Sequence, residues 1–235
     1  MHVALFIPCY MDQFFPNVAI ATLQLLEKLG CTVSFPEGQT CCGQPMANSG
    51  YEHLSKACDA NFNAAFTGFD YVVCPSGSCT LHAKEHIAGS PKIYELTEFI
   101  YDVLGIKSLK GSYVAKVGLH QSCHGQRGLL LSQMSELNAP GFSKPGDLLA
   151  SLNGLELMTL QRTDECCGFG GTFCVAEEAV SVRMGKDRLQ EHLAAGTEIL
   201  TGGDTSCLMH MEGIIRRDKL NLKVMHIAEI LNAAI

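Results

Sequence analysis

Short apolar runs alternate with longer amphipathic stretches along the whole chain. The runs with the length of β-strands form two groups of four, at 3–7, 32–35, 71–73 and 92–94, then at 114–119, 155–159, 198–200 and 223–225. Between them, apolar residues recur at helical spacing over 17–30, 50–66 and 175–196. Strands that alternate with helices predict an α/β fold built from βαβ units with parallel sheets.

The same landmarks occur in the same order in both halves of the chain. Each half has a strand that ends at a cysteine, then a Cys-Cys-Gly triplet, then a cysteine followed three positions later by a histidine. This order indicates a tandem duplication, with one cysteine-rich repeat at 1–109 and a pseudo-symmetric second repeat at 110–235. The join falls in the "KSLKGS" stretch. In each repeat, cysteine-bearing loops are expected at the strand ends, where open α/β sheets bind their ligands.

Composition narrows the classes of function. The formal net charge is -7 and no basic cluster stands out, which argues against nucleic-acid binding. No apolar run reaches the roughly 18 to 20 residues that span a bilayer, so no transmembrane segment is expected. The opening "MHVALFIPCYMD" is typical of a first strand, not of a signal peptide, which suggests a cytoplasmic protein. In a reducing compartment, twelve cysteines indicate buried thiols or metal ligands instead of disulfides.

The repeat separates the cysteines into two classes. Eight are paired between the halves and are predicted to bind metal: Cys9 with Cys123, Cys41 with Cys166, Cys42 with Cys167, and Cys79 with Cys207. The other four have no cysteine counterpart and are interpreted as packing residues: Cys31, Cys58, Cys74 and Cys174.

Four thiolates per half suit either a tetrahedral zinc ion or an iron–sulfur cluster. Structural zinc sites usually have two closely spaced cysteine pairs, whereas each half here has one adjacent pair and two distant cysteines. The side chains of adjacent cysteines diverge, and a multi-iron core can accept both on different irons. The glycine of each triplet would let backbone amides approach sulfur. The spacing favours iron–sulfur and leaves zinc open.

One family has this arrangement of motifs. A cysteine, a Cys-Cys-Gly triplet some 30 to 40 residues later and a further cysteine, all occurring twice, resemble the paired CCG domains of heterodisulfide reductase and of the glycolate oxidase iron–sulfur subunit. Segments such as "LLEKLGC", "CCGQP", "CCGFGGTF" and "VMHIAE" are most similar to the lactate utilization protein A family, across the whole chain.

The resemblance implies a function and partners. It implies an iron–sulfur-binding electron-transfer subunit of an L-lactate-oxidising complex, with one [4Fe–4S] cluster per repeat and zinc as a substitute. The implied partners are lactate utilization proteins B and C, of which the first is a ferredoxin-like iron–sulfur subunit. Two alternatives remain: a reductase that acts on a disulfide or quinone at one cluster, and a zinc-binding scaffold.

The sequence departs from the fullest form of the motif. In the heterodisulfide reductase branch each motif ends with a fifth cysteine, and here that position holds His82 in one half and His210 in the other. Either these histidines are additional ligands, or each site holds a simpler cluster with four cysteines.

Other polar residues near the cysteines give weaker signals. His120 and His124 flank Cys123, but their counterparts in the first half are Phe6 and Tyr10, so they are interpreted as ordinary loop residues. Arg127 is a weak candidate for binding a substrate carboxylate. The dinucleotide fingerprint is absent, so no flavin or nicotinamide site and no catalytic residue are predicted. The chain is expected to be a component of an oxidoreductase complex of the L-lactate dehydrogenase type.

Overall fold

The computed structural model describes all residues from 1 to 235 and confirms the α/β prediction. Two four-stranded parallel sheets have the same strand order, β2-β1-β3-β4 in the first half and β6-β5-β7-β8 in the second. The strands are β1 His2–Leu5, β2 Thr32–Ser34, β3 Val72–Cys74, β4 Ile93–Glu95, β5 Ser112–Leu119, β6 Asn153–Leu157, β7 Ile199–Gly202 and β8 Lys223–His226. Each falls on one of the eight predicted runs. β6 begins two residues earlier than predicted because Asn153 pairs with Ser112.

The helices cover the sheets and also fill the loops after the strands. They are α1 Cys9–Phe14, α2 Pro16–Lys28, α3 Gln44–Asn48, α4 Lys56–Phe66, α5 Gly77–His86, α6 Leu96–Glu98, α7 Lys144–Ala150, α8 Phe173–Ala176, α9 Glu178–Ala194, α10 Thr205–Asp218 and α11 Ile227–Ala234. Two π-helical turns, Phe99–Val103 and His124–Gly128, and a 3-10 turn, Glu52–Leu54, complete the set. The predicted helices at 50–66 and 175–196 are each divided in two.

The first long helix, α2, illustrates how the sequence sets these elements. Pro16 stands at its first turn, where no intrahelical N–H is needed. The apolar residues Val18, Leu25 and Leu26 recur at helical spacing and are buried. Gly30, with φ of +85°, then turns the chain toward β2.

The two halves share one hydrophobic core. The largest cluster of buried apolar side chains contains 24 residues drawn from both halves. α2 packs against α11, and α6 lies beside α7, so helices of the two halves meet on both sides of the molecule. At the first of these contacts Lys28 Nζ donates to the carbonyl oxygens of Asn232, at 2.6 Å, and Ile235, at 2.9 Å. At the second, Lys144 pairs with Asp102 at 2.6 Å. The core therefore fixes one half against the other.

None of the helices combines the length and the apolar character that crossing a membrane requires.

The sheet topology sets where the loops meet. In both sheets the first and third strands of the half lie side by side in parallel, so the loops after them emerge at one edge. The strand order reverses direction at this point, which is where open α/β sheets form a crevice.

Candidate metal centres

The four paired cysteines of the first half meet at this edge of the first sheet. Cys9 begins α1 just after β1, and Cys79 lies in the first turn of α5 after β3. Cys41 and Cys42 come from the loop between β2 and α3. The Sγ atoms of Cys9 and Cys41 are 3.8 Å apart, and Cys42 is hydrogen-bonded to both Cys41 and Cys79. We call these four residues the first quartet.

The second half repeats this arrangement with its own cysteines. Cys123 follows β5, Cys166 and Cys167 lie between β6 and α8, and Cys207 is in the first turn of α10 after β7. Cys166 is hydrogen-bonded to Cys123 and Cys167, and Cys167 to Cys207. These four residues form the second quartet. The structure thus brings together the eight residues that the repeat singled out, in the same order in each half.

The glycine of each triplet turns its backbone N–H toward sulfur. Gly43 has φ of +90° and Gly168 has φ of +88°, a left-handed conformation that side chains rarely adopt. Gly43 N–H donates to Cys41 Sγ at 3.4 Å, and Gly168 N–H donates to Cys166 Sγ at 3.3 Å. The turn therefore supplies a fixed amide donor to one sulfur in each quartet.

The central sulfur of each quartet favours the thiolate form. The thiols of Cys42 and Cys9 donate to Cys41 and lower its pKa well below the usual thiol value. In the second quartet, donation from Cys123 and Cys167 lowers the pKa of Cys166 in the same way. Donation to Cys41, together with burial, raises the pKa of Cys9. Each quartet is thus a close set of sulfurs around one thiolate, a donor set that suits a thiophilic metal, which displaces the remaining protons.

The unpaired cysteines lie elsewhere. Cys31 and Cys74 are buried, Cys31 within the shared core and Cys74 in a smaller apolar cluster of the first half. Cys58 and Cys174 are partly exposed, and Cys174 Sγ donates to the carbonyl of Gly171 at 3.0 Å. These positions agree with packing roles.

His82 and His210 lie beside the backbone of the triplets. His82 is buried, stacks on His86 with ring centroids 4.8 Å apart, and is hydrogen-bonded to the backbone of Cys42. His210 is hydrogen-bonded to the backbone of Cys167, and its Nε2 lies 3.3 Å from the Ser181 carbonyl oxygen. Burial lowers the pKa of both rings. These contacts tie each ring to a triplet loop, and direct ligation by either histidine stays a prediction.

His120 is a residue of the site that the sequence reasoning missed. It is only 2% exposed at the end of β5, and one of its ring nitrogens lies within 4.8 Å of the Sγ atoms of Cys167 and Cys207. Its Nδ1 accepts a hydrogen bond from Arg188 Nε at 3.3 Å. Burial, together with this guanidinium, lowers the pKa of His120 to about 3. The interpretation of His120 as an ordinary loop residue is therefore wrong, because the ring points into the interior and not into solvent. Its position straight after an apolar strand was the available signal.

Arg127 is engaged at the surface. Its Nη2 donates to Glu136 at 2.6 Å, and its Nη1 donates to the Asp164 carbonyl at 3.3 Å. The fork of donors that a substrate carboxylate would need is already in use.

A cavity of about 180 Å³ between the halves opens onto the first quartet. All four cysteines of that quartet line it, and none of the second quartet does. Tyr10 and Phe169 form aromatic walls from opposite halves, with ring centroids 6.3 Å apart. No lysine, arginine or histidine lines the cavity, and Asp204 is the one charged residue there.

Backbone contacts connect the two quartets. Ser78 N–H donates to Asp204 Oδ2 at 2.8 Å, and Gly77 N–H donates to the Gly203 carbonyl at 3.2 Å. Ser78 immediately precedes Cys79, and Asp204 caps the helix that carries Cys207. The two candidate centres are therefore held in a fixed relation.

The comparisons with known proteins agree with this architecture. The model of the CCG family, described as a cysteine-rich domain, matches residues 3–84 and 117–212, so each half carries one cysteine-rich domain with its quartet. Over the full length, the chain is similar to lactate utilization protein A of Bacillus subtilis, with 42% identity over 99% of this chain and 100% of that protein. The protein of the same name from Exiguobacterium sp. is 40% identical over 100% and 98% of the two chains. The chain belongs to the lactate utilization protein A family.

Proposed function

We propose that this chain is an iron–sulfur-binding electron-transfer subunit of an L-lactate-oxidising complex. The observation that carries the proposal is the pair of equivalent sulfur quartets, each with a central thiolate and a glycine amide, in a chain whose relatives are named for lactate utilization. One [4Fe–4S] cluster would be held by Cys9, Cys41, Cys42 and Cys79, and a second by Cys123, Cys166, Cys167 and Cys207. An iron–sulfur cluster supplies one-electron transfer when bound.

The chain's own residues fix and shield the two centres. Cys42 and Cys167 are each 2% exposed, so the deep side of each site excludes water. The hydrogen bond from Ser78 to Asp204 and the contact of Tyr10 with Phe169 hold the loops of the two halves together. A constant separation between two redox centres is what a relay requires.

The lining of the cavity supports lactate oxidation elsewhere in the complex. The carboxylate of a 2-hydroxy acid is normally bound by arginine or lysine, and the only charged side chain of this cavity is the carboxylate of Asp204. We therefore assign the chemistry on lactate to the partners, the ferredoxin-like lactate utilization protein B and lactate utilization protein C, in the cytoplasm. The chain would receive or pass on their electrons.

Anaerobic purification followed by iron and sulfide analysis and electron paramagnetic resonance tests the proposal. We expect two [4Fe–4S] clusters per chain that are reduced by dithionite, and reduced by L-lactate only when the partner proteins are added. A colourless protein with stoichiometric zinc would instead support the scaffold alternative.

The cavity favours one second candidate, a reductase that acts at the first quartet. Its aromatic walls and uncharged polar residues suit a small neutral acceptor such as a disulfide or a quinone. Steady-state turnover of such an acceptor by the isolated, cluster-loaded chain would establish this alternative, and no turnover would leave the relay.

A further inference from the structure

The two sheets correspond residue by residue through their backbone hydrogen bonds. Phe6 N–H donates to the Val73 carbonyl at 2.9 Å, one position beyond the end of β1. His120 N–H donates to the Thr201 carbonyl at 2.7 Å, one position beyond the end of β5. Since Leu5 pairs with Val73 and Leu119 with Thr201 in the parallel ladders, Phe6 and His120 occupy the same place.

The helices that pack on these positions correspond as well. A methyl group on Gly43 would lie 2.8 Å from Ser55 Cβ, and one on Gly168 would lie 2.6 Å from the Ser181 carbonyl oxygen. The triplets thus rest on Ser55 and Ser181. Two buried residues follow at the same intervals after each serine: Phe62 and Phe66 in the first half, Arg188 and His192 in the second.

Behind the first quartet these positions form an aromatic trio. The Phe6 ring packs edge-on against Phe62 and Phe66, with centroids 5.1 and 5.5 Å apart. All three side chains are buried. The first quartet is therefore backed by an apolar wall with no hydrogen-bond donor.

Behind the second quartet the same three positions form a polar trio, His120, Arg188 and His192. They are 2%, 0% and 0% exposed. Arg188 Nη1 pairs with Glu191 at 2.8 Å, while its Nη2 and both ring nitrogens of His192 have no partner. Burying a cation and unpartnered polar atoms is costly. Because three phenylalanines fill the equivalent space, packing alone does not require the polar trio.

The contact with Arg188 defines the role of the His120 ring. Arginine has only N–H donors, so Nδ1 of His120 must accept, and the ring proton is on Nε2. The Nδ1 lone pair is used by Arg188 and Nε2 carries hydrogen, so the ring has no free lone pair for a metal. Lying within 4.8 Å of the Cys167 and Cys207 sulfurs, it offers them an N–H donor.

We propose that His120 is a hydrogen-bond donor to the second cluster and that Arg188 is the positioning residue that fixes its tautomer, so that the second cluster has a higher reduction potential than the first. This inference rests on the proposed iron–sulfur function. An N–H donor and a nearby cation stabilise the more negatively charged, reduced form of a cluster. Phe6 offers the first cluster neither, so electrons would collect in the second half.

A redox titration of the full-length, anaerobically purified chain, followed by electron paramagnetic resonance, tests this. His120→Phe installs the residue of the first half. We expect the equilibrium between oxidised and reduced second cluster to shift at least about tenfold toward the oxidised form, which is about 59 mV for one electron. The first cluster should not change. His120→Gln, whose amide N–H can replace the imidazole donor, should recover most of the shift.

His192→Phe is the matched control, since it makes the same replacement in the trio at a ring that packs against Gly118 and Thr197. It should leave both potentials unchanged. An unchanged second potential in His120→Phe, or an equal shift in His192→Phe, would overturn the inference while the clusters remain. If His120→Phe does not fold, Arg188→Gln decides, because it must lower the second potential. A parent chain without clusters would refute the proposed function itself.

Discussion

The two quartets have the same ligands on the same loops but different surroundings. Each has a central thiolate that accepts a glycine amide, and each lies where a strand order reverses. The first faces a cavity and is backed by three phenylalanines, whereas the second lines no part of that cavity and is backed by two histidines and an arginine. After duplication, what a metal centre needs has been kept. What tunes and exposes it has diverged.

The largest expected effect separates the two centres. Cys41→Ser and Cys166→Ser each remove the central sulfur of one quartet, and serine is a poor replacement because clusters are held by thiolates. Each variant should lose one of the two clusters completely and keep the other. Iron and sulfide per chain, with electron paramagnetic resonance, measure this.

Cys58→Ser is the control for the cysteine variants. Cys58 is a partly exposed thiol outside both quartets, and its replacement should leave the cluster content of the parent. If Cys41→Ser lost both clusters, the two quartets would not be independent sites, and the comparison drawn above would fail.

The next effect concerns the glycine of each triplet. A methyl group on Gly168 would lie 2.6 Å from a backbone oxygen and 2.8 Å from Met184 Cβ, whereas on Gly43 its shortest contact is 2.8 Å, to the Ser55 side chain. With the left-handed φ added, Gly168→Ala should lower the unfolding free energy of the metal-free chain by roughly 3 kcal/mol or more. Gly43→Ala should cost less, about 2 kcal/mol.

Urea denaturation measures both values, and Gly30→Ala is the control. Gly30 has φ of +85° with nothing within 4 Å of an added methyl group, so it reports the cost of the conformation alone, about 1 kcal/mol. Equal losses at all three glycines would mean that the contacts behind the triplets carry no weight.

The sequence predicted those parts of the molecule that depend on local pattern or on the repeat. All eight strands follow from apolar runs, and the eight quartet cysteines follow from aligning the halves. The polar trio could not be found that way, because Arg188 and His192 lie on the long amphipathic helix, where polar residues normally indicate the solvent face. Their contact with His120, 68 positions away for Arg188, exists only in the fold. The cavity likewise depends on how the halves pack.

A third pair of equivalent positions predicts opposite effects of pH. Glu95 and His226 end β4 and β8, and each is the N-cap of the following helix in a capping box. Burial raises the pKa of Glu95 to about 7, so its contribution to stability is lost as pH rises from about 4.5 through 7. Burial lowers the pKa of His226 to about 4, so its contribution is lost as pH falls from about 6.5 through 4.

Two conservative variants separate these contributions in the metal-free chain. Relative to the parent, Glu95→Gln should gain unfolding free energy as pH rises through this window, reaching about 3 kcal/mol near pH 8. His226→Asn keeps an acceptor for the Ala228 N–H and should gain by a similar amount as pH falls toward 4. Urea denaturation at a series of pH values gives both curves. Parallel curves for parent and variants would show that these buried groups do not titrate as described.

The smallest expected effect concerns access to the two centres. Since only the first quartet faces the cavity, its cluster should be removed several-fold faster by a chelator under dithionite than the second cluster. The single-cluster variants Cys166→Ser and Cys41→Ser report the two rates separately through the loss of visible absorbance. Equal rates would mean that the cavity gives no advantage in access.

A substitution at the rim of the cavity sharpens the same comparison. Val175 lines the cavity from the second half and is 81% exposed, so Val175→Trp should narrow the opening and slow removal of the first cluster without affecting the second. Val180→Trp on α9 is the matched control, since this exposed valine does not line the cavity. If both tryptophan variants slowed removal equally, access would be limited by opening of the whole molecule, and the difference between the quartets would then lie in the residues behind them and not in the space before them.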